Sequence, residues 1–288
     1  MKSRKEKSGL HLFDRQTGVH ILFDEIKYNE ETLDLAPRTV SLALTNKCNL
    51  SCEYCYNIKT NDEIDINYLK KLVRKLDDLG CLELTIGGGE PLIYSNLLEF
   101  CKWTWQNTKL GINITTNGTL LDKEKVEVLK SNTSSIRVSL NSIKNNMVLK
   151  NIDYTKNYIN LGLNTIFFPD KENDLIEVIE YAIRKNIKNI LIIPLHKDGE
   201  FLLKENDWSK LEKIIKFYQN KIELFITYDS EKYLKINTLK TEEIGENLFL
   251  NISAKKEIKR NSFDKTGVLI DSLDSLEEIF LKIKRGRI

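Results

Sequence analysis

From Thr39 onward the chain alternates short aliphatic and β-branched runs with stretches whose apolar residues recur every three or four positions. The runs predict strands over 39–44, 82–86, 112–116, 135–140, 164–168 and 189–194. Between the first two, Ile66, Leu69, Leu72, Val73, Leu76 and Leu79 mark one face of a helix that ends at Gly80. Leu175, Ile176, Val178, Ile179, Ala182 and Ile183 mark another. Strands alternating with helices of this length predict an α/β fold, with a parallel sheet joined by right-handed crossovers.

Two flanking segments break the alternation. Before it, Leu10, Leu12 and Phe13 face Val19, Ile21, Leu22 and Phe23 across Thr17-Gly18, which predicts a hairpin over 10–24. His11 and His20 lie in this hairpin and read as packing or surface residues. Residues 25–37 are polar and end at Pro37, as a linker would. After the repeats come a helical pattern over 206–218 and a strand over 222–227. A tail follows, with apolar runs at Leu248–Ile252 and Gly267–Ile270, the basic Lys255–Lys259 stretch between them, and a helix carrying Leu273, Leu276, Ile279, Phe280 and Ile283. The expected organisation is an N-terminal hairpin and linker (1–37), a core (38–220) and a small α+β extension (221–288).

Composition narrows the class. At 288 residues, 41% hydrophobic and 30% charged, the chain can bury a full-sized core. Its net charge of +2 comes from interspersed Lys and Glu, without the concentrated basic face that nucleic acid demands. Met1 to Lys7 is charged and no apolar signal core follows, and no run is long enough to span a bilayer. A cytoplasmic, reducing location is expected, with no membrane partner and no disulfides.

The candidate chemistry begins at Cys48-Asn49-Leu50-Ser51-Cys52-Glu53-Tyr54-Cys55, directly after the first predicted strand. A four-iron cubane is ordinarily held by four thiolates, so three in one loop leave one iron open for chemistry. A zinc knuckle would need further Cys or His ligands downstream, and no such set follows. Gly87-Gly88-Gly89-Glu90-Pro91 follows the second strand, where glycines permit close backbone approach and Glu90 offers an acceptor for an ammonium group. The third strand ends in Thr115-Thr116-Asn117-Gly118, and the fourth in Ser139-Leu140-Asn141.

Together these motifs resemble the radical S-adenosylmethionine (SAM) enzymes, whose signature is C-x3-C-x2-C with an aromatic residue, here Tyr54, before the last cysteine. The resemblance implies a partial (β/α)6 TIM-like barrel with its site at the carboxyl ends of the strands. It implies one [4Fe-4S] cluster on Cys48, Cys52 and Cys55, and SAM as the second cofactor. The open iron would chelate the amino and carboxylate groups of SAM. Reduction would then give methionine and a 5′-deoxyadenosyl radical that abstracts hydrogen from substrate. It also implies SAM contacts at Tyr54, Gly88, Gly89, Glu90, Thr116, Asn117, Ser139 and Asn141; Asn141 stands where many relatives carry Asp.

The tail resembles the SPASM or twitch extension of peptide-modifying members, but no cysteine after Cys101 is available for an auxiliary cluster. Cys81 and Cys101 read as packing residues, which disfavours a cysteine-quenched epimerase. His196, Asp198 and Glu200, after the sixth strand, are candidates for handling protons beside substrate, with a plain solvated loop as the alternative. The expected substrate is a peptide or protein, as for a maturase of ribosomally made peptides. The region before Pro37 is too short for a leader-binding domain, so a leader would bind elsewhere or through a separate leader-recognition protein. A flavodoxin or ferredoxin would supply electrons. Two alternatives stay open: a small-molecule substrate such as a sugar, nucleotide or cofactor precursor, and a non-catalytic Fe–S or zinc binding module.

Overall fold

A computed structural model describes residues 1–197, 199–234, 249–262, 264 and 266–284. The candidate Asp198 and the start of the expected apolar run at Leu248 lie outside the described residues. Strands β1 (Lys2–Lys5), β2 (Leu10–Asp14) and β3 (Val19–Phe23) form an antiparallel sheet. The repeats follow as β4 (Thr39–Thr45), α1 (Ile66–Asp78), β5 (Glu83–Gly88), α2 (Leu97–Asn107), β6 (Gly111–Thr116), α3 (Lys123–Leu129), β7 (Ser135–Ser139), α4 (Asn146–Thr155), β8 (Leu161–Phe167), α5 (Glu172–Arg184) and β9 (Asn189–Pro194). A short hairpin, β10 (His196–Lys197) and β11 (Glu200–Phe201), leads to α6 (Glu205–Tyr218) and β12 (Glu223–Ile226). The tail supplies β13 (Phe249–Ile252), β14 (Glu257–Lys259), β15 (Val268–Leu269) and α7 (Leu276–Lys284).

Among the described residues the central sheet has ten strands in the order β12-β9-β8-β7-β6-β5-β4-β13-β14-β15. Strands β4 to β9 stand side by side in chain order and all run parallel. β12 extends one edge in parallel register with β9, and β13 extends the other in parallel register with β4. The architecture is a partial TIM-like barrel, as the resemblance implied. Alternation along each strand sorts its two faces. Leu42, Leu84, Ile86, Ile112, Ile114, Ile136, Val138, Ile190 and Ile192 are buried in the main core with the helices. On the opposite face, Asn113 bonds Glu83 (2.9 Å) and Ser135 (2.6 Å), Arg137 bonds Asn164 (2.6 Å) and Asn189 (2.7 Å), and Asn251 bonds Ser41 (3.1 Å). The concave face is therefore lined with hydrogen-bonded polar side chains. Burial lowers the Arg137 pKa to about 10 despite the field of Glu223.

The predicted hairpin is present, and a strand absent from the sequence reading joins it. β1 pairs β2 although its residues are Lys, Ser, Arg and Lys. Lys2 and Arg4 are buried against partners, while Lys5 is exposed. The Lys2 ammonium donates to Asp77 (2.6 Å), and the Arg4 guanidinium to Glu6 (2.8 Å) and to the Gly80 carbonyl (2.8 Å). Arg38 adds a second guanidinium on Glu6 (3.0 and 2.5 Å). His11 and His20 bond each other at 2.8 Å, and His20 reaches Glu83 at 3.1 Å. Phe13 is fully buried beside Gly111, and Arg15 donates to the Thr108 carbonyl. All these contacts lie where strands begin and helices end, so the N-terminal sheet covers the amino mouth of the barrel and leaves the carboxyl mouth open.

Burial by itself would raise the Glu6 pKa. The nearby His11 ring (Nδ1 at 3.7 Å), the Arg38 hydrogen bonds and the charges of Arg38 and Arg4 outweigh it and hold the carboxyl far below its ordinary value. A carboxyl depressed on folding stabilises the fold above its unfolded pKa, and that contribution disappears as pH falls through the folded value. Glu6→Gln should therefore cost about 3 kcal/mol at neutral pH by leaving buried guanidinium charge uncompensated. In chemical denaturation the gap from the parent should narrow below about pH 4. A gap that is constant with pH would show that packing, not charge, is responsible.

Candidate active site

The three cysteines lie on one loop at the carboxyl mouth, and local sequence shapes that loop. A register shift between Ala43 and Thr45 ends the regular pairing of β4 with β5. The base of the loop is then closed by Asn46 N–H donating to the Asp62 carbonyl (2.9 Å) and Ile64 N–H to the Leu44 carbonyl (2.9 Å), with a bridge between Thr45 and Glu63. Asp65 starts α1 immediately afterwards, its carboxylate accepting from the amides of Asn67 (2.9 Å) and Tyr68 (3.0 Å). Residues 46–62 are thus a closed protrusion between two fixed elements.

Three contacts seat the protrusion over neighbouring strand ends. At β5, Gly89 N–H donates to the Thr45 carbonyl and Glu90 N–H to the Lys47 carbonyl, both at 2.8 Å. At β6, the Asn117 amide donates to Asn49 (2.9 Å), Asn49 donates to Thr119 (2.9 Å), and the Thr119 hydroxyl donates back to Asn117 (2.6 Å). At β7, the Asn141 amide nitrogen donates to the Tyr54 hydroxyl (2.6 Å) while its oxygen accepts from Ile166 N–H at 2.8 Å. Phe168 packs edge-on to Tyr54, with ring centres 5.3 Å apart.

Glu90 and Thr116 are buried, each 2% exposed. The Glu90 carboxylate accepts from the Thr116 hydroxyl (2.6 Å), Asn117 N–H (2.8 Å) and Leu92 N–H (3.1 Å). Burial pushes its pKa up, and these donors only partly offset that. In this structure both residues tie the β5 and β6 ends together. Gly88 needs its positive φ of +94°, and at Gly89 an added Cβ would lie 2.1 Å from the Lys47 carbonyl oxygen. Gly87 has open space on its side-chain face, with nothing within 4 Å. Ser139 ends β7 and is exposed.

The thiols of Cys48, Cys52 and Cys55 are free and reach the surface of the protrusion. Leu50 N–H donates to Cys48 Sγ at 3.4 Å. Burial raises the Cys55 pKa, opposed by a hydrogen bond from Asn57 N–H. Burial and then the Cys52 side chain push the Tyr54 phenol up to about 12, against the pull of the Asn141 amide. Among the described residues, no three Cys, His, Asp or Glu side chains converge as they would around a single ion. Three thiols on one loop, with the Leu50 amide already donating to Cys48, supply the sulfur donors that three corners of a cubane need.

The other candidates are dispersed. His196 donates through Nδ1 to the Pro194 carbonyl (2.9 Å) and packs edge-on to Phe201, while Glu200 is exposed on β11. Cys81 is buried just before β5, its pKa raised to about 11 by burial, and Cys101 is buried on α2 with its thiol pushed up to about 12. The sequence reading missed Asn49, Thr119 and Phe168. Only the position of Asn49 between two cysteines hinted at its part.

A parallel partial barrel with a three-cysteine protrusion at its carboxyl mouth defines a class of cofactor-dependent enzyme. The sequence pattern of the Radical SAM superfamily matches residues 42–218, more than half of the chain, and the chain belongs to that superfamily. Membership makes it an enzyme and implies a [4Fe-4S] cluster and SAM. The MJ0907 protein of Methanocaldococcus jannaschii is 27% identical over 235 residues, which cover 73% of this chain and 80% of that protein. The GTP 3′,8-cyclase of Helicobacter pylori strain HPAG1 is 29% identical over 170 residues, 52% of this chain and 53% of the cyclase. The chain thus spans about half the length of that cyclase. In structure, Streptococcus suis SuiB bound to precursor peptide SuiA superposes with a TM-score of 0.75 at 14% identity, covering 95% of this chain and 86% of SuiB. anSMEcpe with bound AdoMet and a peptide superposes with a TM-score of 0.66 at 18% identity, covering 86% and 81%. Among the described residues no helix is long and apolar enough to cross a membrane.

Proposed function

We propose that this chain cleaves SAM reductively and abstracts a hydrogen atom from a peptide or protein substrate. The observation that carries the reading is the seating of the cysteine protrusion against the glycine turn and the ends of β6 and β7. When bound, the cluster and SAM supply one-electron cleavage of the sulfonium C–S bond, giving methionine and the 5′-deoxyadenosyl radical. Cys48, Cys52 and Cys55 hold the cluster. The backbone of Gly88 and Gly89 borders SAM, with Glu90 and Thr116 fixing that backbone from below. Asn117, Ser139, Asn141 and Tyr54 line the remaining sides. A low-potential one-electron donor of the flavodoxin or ferredoxin class supplies the electron.

Two features favour a peptide. The fold is shared over nearly the whole chain with SuiB, which was crystallised with a precursor peptide. The mouth is rimmed by exposed Leu50, Tyr54, Tyr56, Ile58 and Met147, apolar surface suited to an extended chain. A small-molecule substrate is the second reading, favoured by the GTP 3′,8-cyclase relatives. Anaerobically reconstituted protein should hold about four irons per chain and release 5′-deoxyadenosine on reduction. Mass spectrometry should then show loss of hydrogen from a peptide substrate, with GTP unchanged. Conversion of GTP would establish the second reading, and four bound irons without SAM cleavage would sink both.

A further inference from the structure

A lone cation stands on the inner face of the barrel. Of strands β4 to β9, only β7 carries a lysine or arginine, and that residue is Arg137. Among the described residues its guanidinium contacts no carboxylate. Its partners are Asn164 Oδ1 (2.6 Å), Asn189 Oδ1 (2.7 Å) and the Leu163 carbonyl (2.7 Å). The one acidic residue on those strands, Glu83, is already engaged by Asn113 (2.9 Å) and His20 (3.1 Å). A charge withdrawn from water is ordinarily paired, and here it meets only neutral oxygens.

The same bonds leave donors over. A guanidinium only donates, so the atoms of Asn164 and Asn189 that face it are carboxamide oxygens. Both amide nitrogens remain as donors, and no acceptor among the described residues meets either of them. Asn164 is only 9% exposed, so water does little to satisfy it. Three of the guanidinium's five N–H groups are used, and the rest are also unmet. Gly162 makes room for this arrangement. It pairs with Arg137 across β7 and β8, and a Cβ there would stand 2.7 Å from Arg137 Nη1 and 2.5 Å from Asn189 Oδ1. Arg137 is half-buried, and the N-terminal sheet covers the amino mouth, so a ligand reaches it from the carboxyl mouth. Ser139, at the end of the same strand, lies roughly 7 Å nearer that mouth.

We propose that Arg137, Asn164 and Asn189 form a carboxylate-binding site in the lumen, which anchors an acidic group of the substrate beneath SAM. The inference deepens the reading under Proposed function and rests on it. Clustered donors without an acceptor call for an anion, and a planar carboxylate accepts side by side from guanidinium and amide N–H groups. The site has one positive charge, and the field of Glu223 opposes any anion there. That balance suits a singly charged carboxylate and not a doubly charged phosphate. An acidic side chain reaching down to Arg137 holds the atoms next to it at the level of Ser139, where SAM is placed, and so orients them for hydrogen abstraction.

Isothermal titration of the reconstituted, unreduced holoenzyme with SAM present tests this, with N-acetylglutamate amide, N-acetylglutamine amide and inorganic phosphate as probes. The parent should bind the glutamate probe at least about tenfold more tightly than the glutamine probe, the margin of a charge-assisted hydrogen bond. Arg137→Gln should erase that margin and leave the Kd for SAM unchanged. Gly162→Ala keeps the charge but unseats the guanidinium, and should erase the margin too. Glu223→Gln, at an exposed position on β12, should tighten the glutamate probe and leave the glutamine probe unaltered. That variant decides the matter should the two lumen variants fail to fold. Equal binding of the two amino-acid probes by the parent, a margin that survives Arg137→Gln, or tighter binding of phosphate than of the glutamate probe overturns the inference. So does a weakened Kd for SAM in Arg137→Gln, which would make the carboxylate of SAM the ligand. A holoenzyme that shows the margin yet cleaves no SAM on reduction sinks the functional reading while the carboxylate site stands.

Discussion

Replacing Cys52 with Ala should reduce iron from about four per chain to less than one and 5′-deoxyadenosine to background. Two thiolates leave two corners of a cubane without protein ligands, and no other cysteine can fill the gap. Cys81 sits before the first residue of β5, while the protrusion meets the last, and a six-residue strand spans roughly 20 Å. Cys101 is buried on a helix packed outside the sheet. Burial raises both thiol pKa values, so neither is a ready thiolate at neutral pH. Cys81→Ala and Cys101→Ala should accordingly keep the full iron complement, at a stability cost of about 1–2 kcal/mol each for the vacated core volume. Iron assay after anaerobic reconstitution and chromatographic detection of 5′-deoxyadenosine measure both outcomes. Persistent SAM cleavage by Cys52→Ala would refute the site.

The barrel was legible because parallel strands covered by helices need unbroken apolar signals on their outer face. Leu42, Ile86, Ile114 and Val138 announce that face without any tertiary knowledge. β1 was not legible, because its stability depends on distant partners: Lys2 and Arg4 read as solvated charge until Asp77, Gly80 and Glu6 surround them. The same distinction runs through the site. The cysteine spacing and the glycine run are local and were readable in the chain. The clasp of Asn49 by Asn117 and of Tyr54 by Asn141 joins residues 68 and 87 positions apart, so no local pattern contains it. Glu90 is the instructive case. Its place in the motif suggested a group facing ligand, and the structure adds what no motif could announce: burial and three donors, from Thr116, Asn117 and Leu92, that hold the carboxylate in the wall of the site.

Gly89→Ala should uncouple that wall from the cysteine protrusion. The new methyl carbon would stand 2.1 Å from the Lys47 carbonyl oxygen, 2.7 Å from its carbonyl carbon and 2.8 Å from that of Asn46. All three are backbone atoms of the protrusion, so no side-chain rotation relieves the clash. Relief requires the β5 turn and the protrusion to part, and the hydrogen bonds from Gly89 to Thr45 and from Glu90 to Lys47 go with that movement. Overpacking of this kind costs about 2 kcal/mol, a fall of roughly 5 °C in melting temperature for a chain of this size. The catalytic effect should be larger than the stability effect. A displacement of about 1 Å between cofactor-holding elements can cost about a hundredfold in rate, so 5′-deoxyadenosine formation should drop by at least that factor while iron is retained. Gly87→Ala is the contrasting substitution, because its methyl group meets no protein atom within 4 Å and should leave the melting temperature unchanged. If Gly89→Ala melts and cleaves SAM like the parent, the contact between turn and protrusion does not organise the site.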